Sequence, residues 1–203
     1  MNVAGVILAG GQASRMGGGD KCLLDIDGKT VLDHVMSRIE PQAEPLVISA
    51  NGASNRFAHT GLPVVADDQS GFLGPLAGIL AAMGWATDRG ASHIVSVAAD
   101  TPFFPADLVE KLCTSVRDEK AEIAIACSAD DDGRVSRQPT FGLWPVELAN
   151  DLRGFLARGD RKILLWAQRH RLAMPIVGPT TAFFNINTPE DLLTARGMVR
   201  VAS

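Results

Sequence analysis

Short apolar runs alternate with longer amphipathic segments along most of this chain. Continuous apolar runs bounded by turn residues predict strands that are buried on both faces of a sheet. Such runs occupy residues 3–8, 45–49, 63–65, 93–98, 123–127 and 183–186. The amphipathic segments predict helices at residues 31–40, 75–87, 106–117, 146–157, 163–170 and 189–197.

This alternation predicts an α/β fold, a doubly wound and mostly parallel sheet with helices on both faces. Sheets of this kind bind their ligands outside the carboxyl ends of the strands. The chain has 203 residues, which suits one domain with a sizeable core. We therefore expect the informative side chains to lie in the loops that follow the first four strands.

Composition and charge exclude several classes of partner. Apolar residues make up 46% of the chain and the formal net charge is −4, so we expect no nucleic-acid partner. No apolar run reaches membrane-spanning length and the N-terminus lacks a basic signal segment, so we expect no membrane partner. Cys22, Cys113 and Cys127 show no metal-binding spacing, which favours reduced thiols in a cytoplasmic protein.

The first predicted strand leads directly into a glycine-rich segment, LAGGQASRMGGGDKCLL, at residues 8–24. Backbone amides without a neighbouring Cβ approach an anion closely, and Arg15 and Lys21 add positive charge. The segment does not fit the dinucleotide pattern GxGxxG. It does not fit the Walker A pattern either, because Lys21 is followed by Cys22. The segment nevertheless has the composition and the position of a phosphate-binding loop.

Polar residues follow the second and third predicted strands. Asn51 is followed by glycine, so it forms a simple turn or hydrogen-bonds a base or ribose edge. Asp67 either pairs with the two donors of a guanine Watson–Crick edge or caps the helix that follows.

Asp100 follows the fourth predicted strand. A carboxylate there is costly unless it is paired, hydrogen-bonded or bound to a metal. Its alternative role is to cap the next helix, although Thr101 and Asp107 lie closer to that helix start. Near the C-terminus, strand alternation over 183–186 would place Asn185 and Asn187 on one face, either solvated or facing a substrate.

The first loop matches the pattern LAGGxxxRMGxxDKxLL at every fixed position, and FxNxNTPEDL begins at Phe183. In these motifs the chain resembles the molybdenum cofactor guanylyltransferases, relatives of the sugar-nucleotide pyrophosphorylases. The resemblance extends from Leu8 to Leu192 and implies a nucleotide-diphospho-sugar transferase-like, Rossmann-type fold. It implies nucleotide binding by Leu8, Ala9, Gly10, Gly11, Lys21, Asn51, Asp67 and Asp100, with Asp100 also on Mg²⁺, for which Mn²⁺ would substitute.

The resemblance also implies a reaction, the transfer of GMP from GTP to the terminal phosphate of molybdopterin or molybdenum cofactor, with release of pyrophosphate. A phosphate monoester nucleophile needs no general base, so we expect catalysis by Arg15, Lys21 and Asp100 through positioning and charge neutralisation. The basic stretch 153–171 would attract the anionic pterin, and Asn185 and Asn187 would contact this substrate.

The same resemblance suggests a single domain over residues 1–203, with a nucleotide-binding half at about 1–105 and a pterin-binding half at about 106–203. Other cofactor-biosynthesis proteins would deliver the pterin. Two alternatives remain at this point: a cytidylyltransferase for the same pterin or a sugar-phosphate nucleotidyltransferase, and a non-catalytic nucleotide-binding module.

Overall fold

The computed structural model describes residues 1–10, 20–67 and 74–202, which fold around one central sheet. The strands in these ranges are β1 (Val3–Leu8), β2 (Asp25–Ile26), β3 (Lys29–Thr30), β4 (Leu46–Ser49), β5 (Val64–Val65), β6 (His93–Ala98), β7 (Ile123–Ala129), β8 (Val135–Pro145), β9 (Leu172–Ala173) and β10 (Ile176–Pro179). The helices are α1 (Val31–Ile39), α2 (Pro75–Thr87), α3 (Leu108–Asp118), α4 (Ala149–Ala157), α5 (Ile163–Ala167) and α6 (Pro189–Ala202).

The central sheet has eight strands in the order β10-β7-β8-β6-β1-β4-β5, with β9 beside β7. β1 pairs in parallel with both β4 and β6, whereas β8 runs antiparallel between β6 and β7. The prediction of a mostly parallel, doubly wound sheet is therefore confirmed.

Both faces of the sheet are covered by helices. Val6 and Ile7 of β1 are fully buried, and they belong to two different apolar clusters because successive strand residues point to opposite faces. Ile7 packs in the cluster that contains residues of α1 and α3. Val6 packs in the cluster with α2, α4 and α5, where Trp144 stacks on Trp166 with ring centroids 5.7 Å apart.

The parallel register brings the carboxyl ends of four strands to one edge of the sheet. Leu8 lies opposite both Ser49 and Ala98, and Ser49 lies opposite Val65. α2 packs closely behind this edge at Gly78, where a Cβ would overlap the Ser49 hydroxyl and lie 3.1 Å from Leu8 Cδ2. The described residues that directly follow β1, β4, β5 and β6 consequently lie at the same edge.

Local sequence signals explain the element ends that were predicted well. Strands 3–8 and 93–98 and helix 75–87 have the predicted bounds. α1 begins with a capping box in which the Thr30 hydroxyl accepts from the Asp33 amide and the Asp33 carboxylate accepts from the Thr30 amide. An Asp-Gly turn joins β2 to β3, and both of its residues, Asp27 and Gly28, have positive φ.

Strand β8 was not predicted. Its first half is exposed or half-buried and contains Pro139, whereas its second half, from Phe141 onward, is buried. Burial therefore changes along the strand and no single periodicity describes it.

The predicted strand at 183–186 is wrong. A 3₁₀ helix, Thr180–Phe183, ends there, and no described strand follows it. The apolar residues of this segment suggest a strand, but they are buried for another reason: Phe183 packs edge-on against Phe141, and Ile186 packs in a separate small cluster. The Ile186 amide donates to the Asp100 carbonyl over 2.9 Å, so this segment nevertheless lies beside the end of β6.

α6 packs on the β2–β3 hairpin. The buried part of this contact consists of four apolar residues, Ile26, Val31, Ile186 and Ala195, and Arg200 pairs with Asp27 over 3.0 Å.

Within the described ranges, no helix is both long and apolar enough to cross a membrane.

Candidate active site

A pocket of about 90 Å³ opens where β1 and β6 end. It is lined by Leu8, Ala9, Gly10, Asp20, Lys21, Cys22, Ala99 and Asp100. Gly10 does not have a positive φ, and among the described residues a Cβ at Gly10 would meet no atom within 4 Å. The described surroundings therefore leave room for the close approach of a ligand to the Gly10 backbone.

Asp100 is half-buried directly after β6. Burial raises the pKa of its carboxyl, although hydrogen bonds from Thr101 and Asn185 and the charge of Lys21 act in the opposite direction. The Thr101 hydroxyl donates to Asp100 Oδ1 over 3.2 Å. A carboxylate that is desolvated in this way gains most from a cation. Its hard oxygen atoms suit a divalent metal that is also held by phosphates and water.

Lys21 points toward the C-terminal segment. Its Nζ donates to Asn187 Oδ1 over 3.0 Å. Asn187 is itself restrained, because Asp191 Oδ2 accepts from the amides of Asn187 and Thr188, each over 2.9 Å. These backbone donors hold the pKa of Asp191 below its usual range. The start of α6 thus positions a partner for the lysine.

A second, smaller pocket lies beside the first and shares Leu8 and Gly10 with it. Here Asn51 and Asp67 form a reciprocal pair: Asn51 Nδ2 donates to Asp67 Oδ2 over 2.8 Å, and the Asp67 amide donates to Asn51 Oδ1 over 3.0 Å. The capping alternative for Asp67 fails at α2, where the N-cap is Gly74 without a side-chain cap. The two pockets are thus adjacent and share lining residues, and together they are called the cleft below.

The structure brings most of the predicted residues into this cleft. Lys21 and Asp100 lie at one end, and Asn51 and Asp67 lie at the other. Asn185 and Asn187 contact Asp100 and Lys21 respectively, although not from a strand as predicted. Gly11 and Arg15 lie outside the described residues.

Two supporting residues were missed from the sequence. The sequence suggests Thr101 only as a helix-start residue and gives Asp191 no role beyond the motif FxNxNTPEDL, whereas in the structure their side chains hold Asp100 and Asn187. Their signals were present in the motifs DTP and NTPED, but local spacing does not reveal the second contact.

The C-terminal part of the basic stretch lies away from the cleft. Arg171 precedes β9, which pairs with the start of β7, and it contacts Glu122 over 3.8 Å. Arg169 and His170 both pair with Asp151. These three residues therefore pair with acidic side chains of α4 and of the segment before β7, and the attraction of the pterin by the basic stretch stays a prediction.

Other chemistry is less suited to the site. Burial and the neighbouring Asp20 charge raise the pKa of Cys22 to about 12, so this thiol stays protonated. Among residues 1–10, 20–67 and 74–202, no three His, Cys, Asp or Glu side chains cluster as metal ligands. A metal here would therefore rely on Asp100 and on oxygen atoms of the ligand.

The chain matches known proteins over most of its length. The family model described as MobA-like NTP transferase domain matches residues 5–172. The molybdenum cofactor guanylyltransferase of Mesorhizobium japonicum is 45% identical, with 98% of this chain and 97% of that protein covered. The enzyme of the same name from Bradyrhizobium sp. is 48% identical over 95% of this chain and 91% of its own length.

Solved structures share the fold at low sequence identity. Molybdopterin-guanine dinucleotide biosynthesis protein A from Archaeoglobus fulgidus superposes with a TM-score of 0.75 at 23% identity, covering 98% of this chain and 99% of its own. A CMP:2-keto-3-deoxy-manno-octonic acid synthetase complexed with CTP gives a TM-score of 0.76 at 15% identity, with both chains fully covered. These two likenesses concern the fold alone.

Proposed function

Because this chain belongs to the MobA-like NTP transferase family, we propose that it transfers GMP from GTP to the terminal phosphate of molybdopterin. The products are molybdopterin guanine dinucleotide and pyrophosphate. The observation that carries the proposal is the combination of two adjacent polar pockets with relatives named for that activity, which match over 91% or more of their own length at 45–48% identity. The chain is accordingly a nucleotidyltransferase.

The Asn51–Asp67 end of the cleft suits guanine. A carboxylate accepts two parallel hydrogen bonds, and guanine presents two adjacent donors on its Watson–Crick edge. Asn51 donates one hydrogen bond to Asp67 Oδ2 and so fixes the orientation of the carboxylate. The Oδ1 atom and the second lone pair of Oδ2 are proposed to accept from the base. Cytosine and adenine lack this donor pair, and their binding would displace water from the carboxylate without supplying both hydrogen bonds.

The Lys21–Asp100 end suits the transfer itself. The attacking phosphate is ionised near neutral pH, so the site needs positioning and charge neutralisation rather than a general base. In this proposal the backbones of Gly10 and Gly11 approach the triphosphate. Lys21 and Arg15 then neutralise the charge that develops on the α-phosphate and on the leaving pyrophosphate.

Nucleotidyltransferases generally use a divalent metal, and we propose Mg²⁺, with Mn²⁺ as a substitute. Asp100 would hold it, because this half-buried carboxylate faces the pocket where the triphosphate would lie. When bound, the cation neutralises phosphate charge and orients the leaving group. Thr101 and Asn185 keep the Asp100 carboxylate oriented through their hydrogen bonds.

We further propose that the pterin enters from the side of residues 106–203. Asn185 and Asn187 support this division, since they come from the C-terminal part of the chain and reach Asp100 and Lys21. In this scheme residues 1–105 hold the nucleotide, and another protein of cofactor biosynthesis supplies the pterin.

A panel of nucleotides tests the proposal. Purified protein is incubated with molybdopterin, Mg²⁺ and GTP, CTP or ATP, and pyrophosphate release is measured alongside the dinucleotide product. We expect release with GTP, dependent on molybdopterin. Preference for CTP would assign the chain to the cytidylyltransferases, and release only with a sugar phosphate would assign it to the sugar enzymes. Nucleotide binding without release under any condition would indicate a non-catalytic module.

A further inference from the structure

Each of the three guanidinium nitrogen atoms of Arg56 contacts another residue. It lies on the 3₁₀ helix Ser54–Thr60, shortly after Asn51. Its two terminal nitrogens donate to the carbonyls of Ala53 and Asn51 over 2.5 and 2.7 Å, and Nε lies 2.5 Å from Asp20 Oδ2. The last contact is an ion pair rather than an aligned hydrogen bond, because the buried Nε has no hydrogen-bond partner.

The Arg56 side chain also stacks on an aromatic ring. Its guanidinium carbon lies 4.5 Å from the centre of the Phe57 ring, and Phe57 is only 1% exposed. Stacking on a buried ring fixes the plane of a guanidinium group. The guanidinium group of Arg56 is therefore held in one orientation by its contacts and does not behave as a freely solvated surface charge.

Arg56 connects the two ends of the cleft. Asp20 lines the larger pocket and directly precedes Lys21, whereas Asn51 lines the smaller pocket and holds Asp67. Arg56 contacts both Asp20 and Asn51 although it lines neither pocket itself.

The contact between Arg56 and Asp20 changes the electrostatics of the larger pocket. Within the described lining of the larger pocket, two carboxylates, Asp20 and Asp100, stand beside one ammonium group, Lys21. A triphosphate would be repelled by an uncompensated Asp20, because a pocket partly shielded from water screens charge weakly. The Arg56–Asp20 ion pair reduces that repulsion.

We propose that Arg56 is a positioning residue that couples guanine recognition to triphosphate binding. It does so by neutralising Asp20 and by holding the Asn51 loop in place. The inference rests on the proposed nucleotide site. A lysine would supply the charge but not the several directed donors, because its ammonium group is a compact point charge on a flexible stem.

The test compares Arg56→Met, Asp20→Asn and the double variant with the wild type. Binding of GTP and of guanosine is measured by calorimetry without metal. We expect Arg56→Met to weaken GTP binding by about tenfold, and guanosine binding much less, as for loss of one partner of a part-buried ion pair. Asp20→Asn in the same chain should restore most of the GTP affinity, since it removes the exposed charge.

The steady-state preference for GTP over CTP gives a second readout. It should fall in Arg56→Met and stay low in the double variant, because the Asn51 carbonyl remains without its donor in both. Arg89→Met is the matched control: Arg89 also stacks on an aromatic ring, Trp85, and bonds its carbonyl, but it lies just before β6, at the opposite edge. We expect wild-type values for it.

Three results would overturn the inference. These are GTP binding by Arg56→Met within twofold of wild type, no recovery in the double variant, and an unchanged preference for GTP over CTP. If Arg56→Met does not fold, Arg56→Lys replaces it. That variant should bind GTP nearly as the wild type does but prefer it less over CTP, and loss of both properties would contradict the charge argument. Wild-type protein that neither binds GTP nor transfers GMP would instead contradict the proposed function.

Discussion

Lys21 and Asn187 are 166 residues apart in sequence and are joined by a hydrogen bond of 3.0 Å. The contact connects the end of the glycine-rich segment to the start of α6. The lysine is thus held by an amide, a neutral partner that a phosphate can displace. A charged partner in the same place would compete with the phosphate.

The first prediction follows from this contact. Asn187→Asp should weaken GTP binding by roughly tenfold, because an ion pair would hold Lys21 away from the triphosphate. Asn187→Ala should change GTP binding by less than about threefold, since it removes only a neutral hydrogen bond. Equilibrium dissociation constants for both variants decide the matter, and equal effects of the two substitutions would contradict the idea.

Asp100→Asn should nearly abolish turnover while the protein remains folded. Loss of a carboxylate ligand should cost several kcal/mol of transition-state stabilisation, which corresponds to about 10³-fold in kcat. The measurement is kcat at saturating Mg²⁺ and GTP. Asp107→Asn is the matched control, because Asp107 is exposed and pairs with Lys111 over 2.9 Å. Near-normal activity of Asp100→Asn would remove Asp100 from the mechanism.

The pH dependence of unfolding checks that the Asp100→Asn protein is intact. Burial raises the pKa of Asp100 in the folded state, so its contribution to stability is present at low pH and is lost as pH rises through that folded pKa. Asparagine carries no charge and avoids this loss. Asp100→Asn should therefore be at least as stable as wild type in urea at pH 7, with a smaller difference near pH 4. A large loss of stability at pH 7 would show that Asp100 is mainly structural.

Lys21→Ala and Arg15→Ala should lower kcat more than they weaken GTP binding. Both cations are proposed to act on charge that builds up during transfer, and losing one such group costs on the order of 10²-fold in rate. Steady-state kinetics separate kcat from KM for GTP. The exposed Lys29 of β3 provides a control as Lys29→Ala. A change confined to KM would indicate uniform binding of ground state and transition state.

The preference for GTP should depend on the Asn51–Asp67 pair. We expect kcat/KM for GTP to exceed that for CTP or ATP by about 10²-fold or more, as in sites that hydrogen-bond their substrate. Asp67→Ala should remove most of this preference. Asn51→Ala should reduce it less, because it frees Asp67 without deleting the carboxylate. Exposed Asn55 is the control for Asn51, and equal kcat/KM values for the three nucleotides in wild type would refute the assignment.

Much of this protein could be predicted from local sequence. The apolar run of β1, the Pro-initiated α2 and the glycine-rich segment each carry their signal in consecutive residues. Hydrophobic periodicity and turn chemistry act over a few residues, so they indicate element type and the edge of the sheet where polar loops collect. Asn51, Asp67 and Asp100 were located in this way.

Other features were decided only by the tertiary structure. β8 changes from exposed to buried along its length because its first half extends past β6 and pairs with β7. Phe183 and Ile186 do not belong to a strand, and each packs in a different apolar cluster. The contacts of Lys21 with Asn187 and of Arg56 with Asp20 join residues far apart in sequence. No local pattern specifies such partners, because they are set by how the packed helices and the parallel register bring distant loops to the same edge.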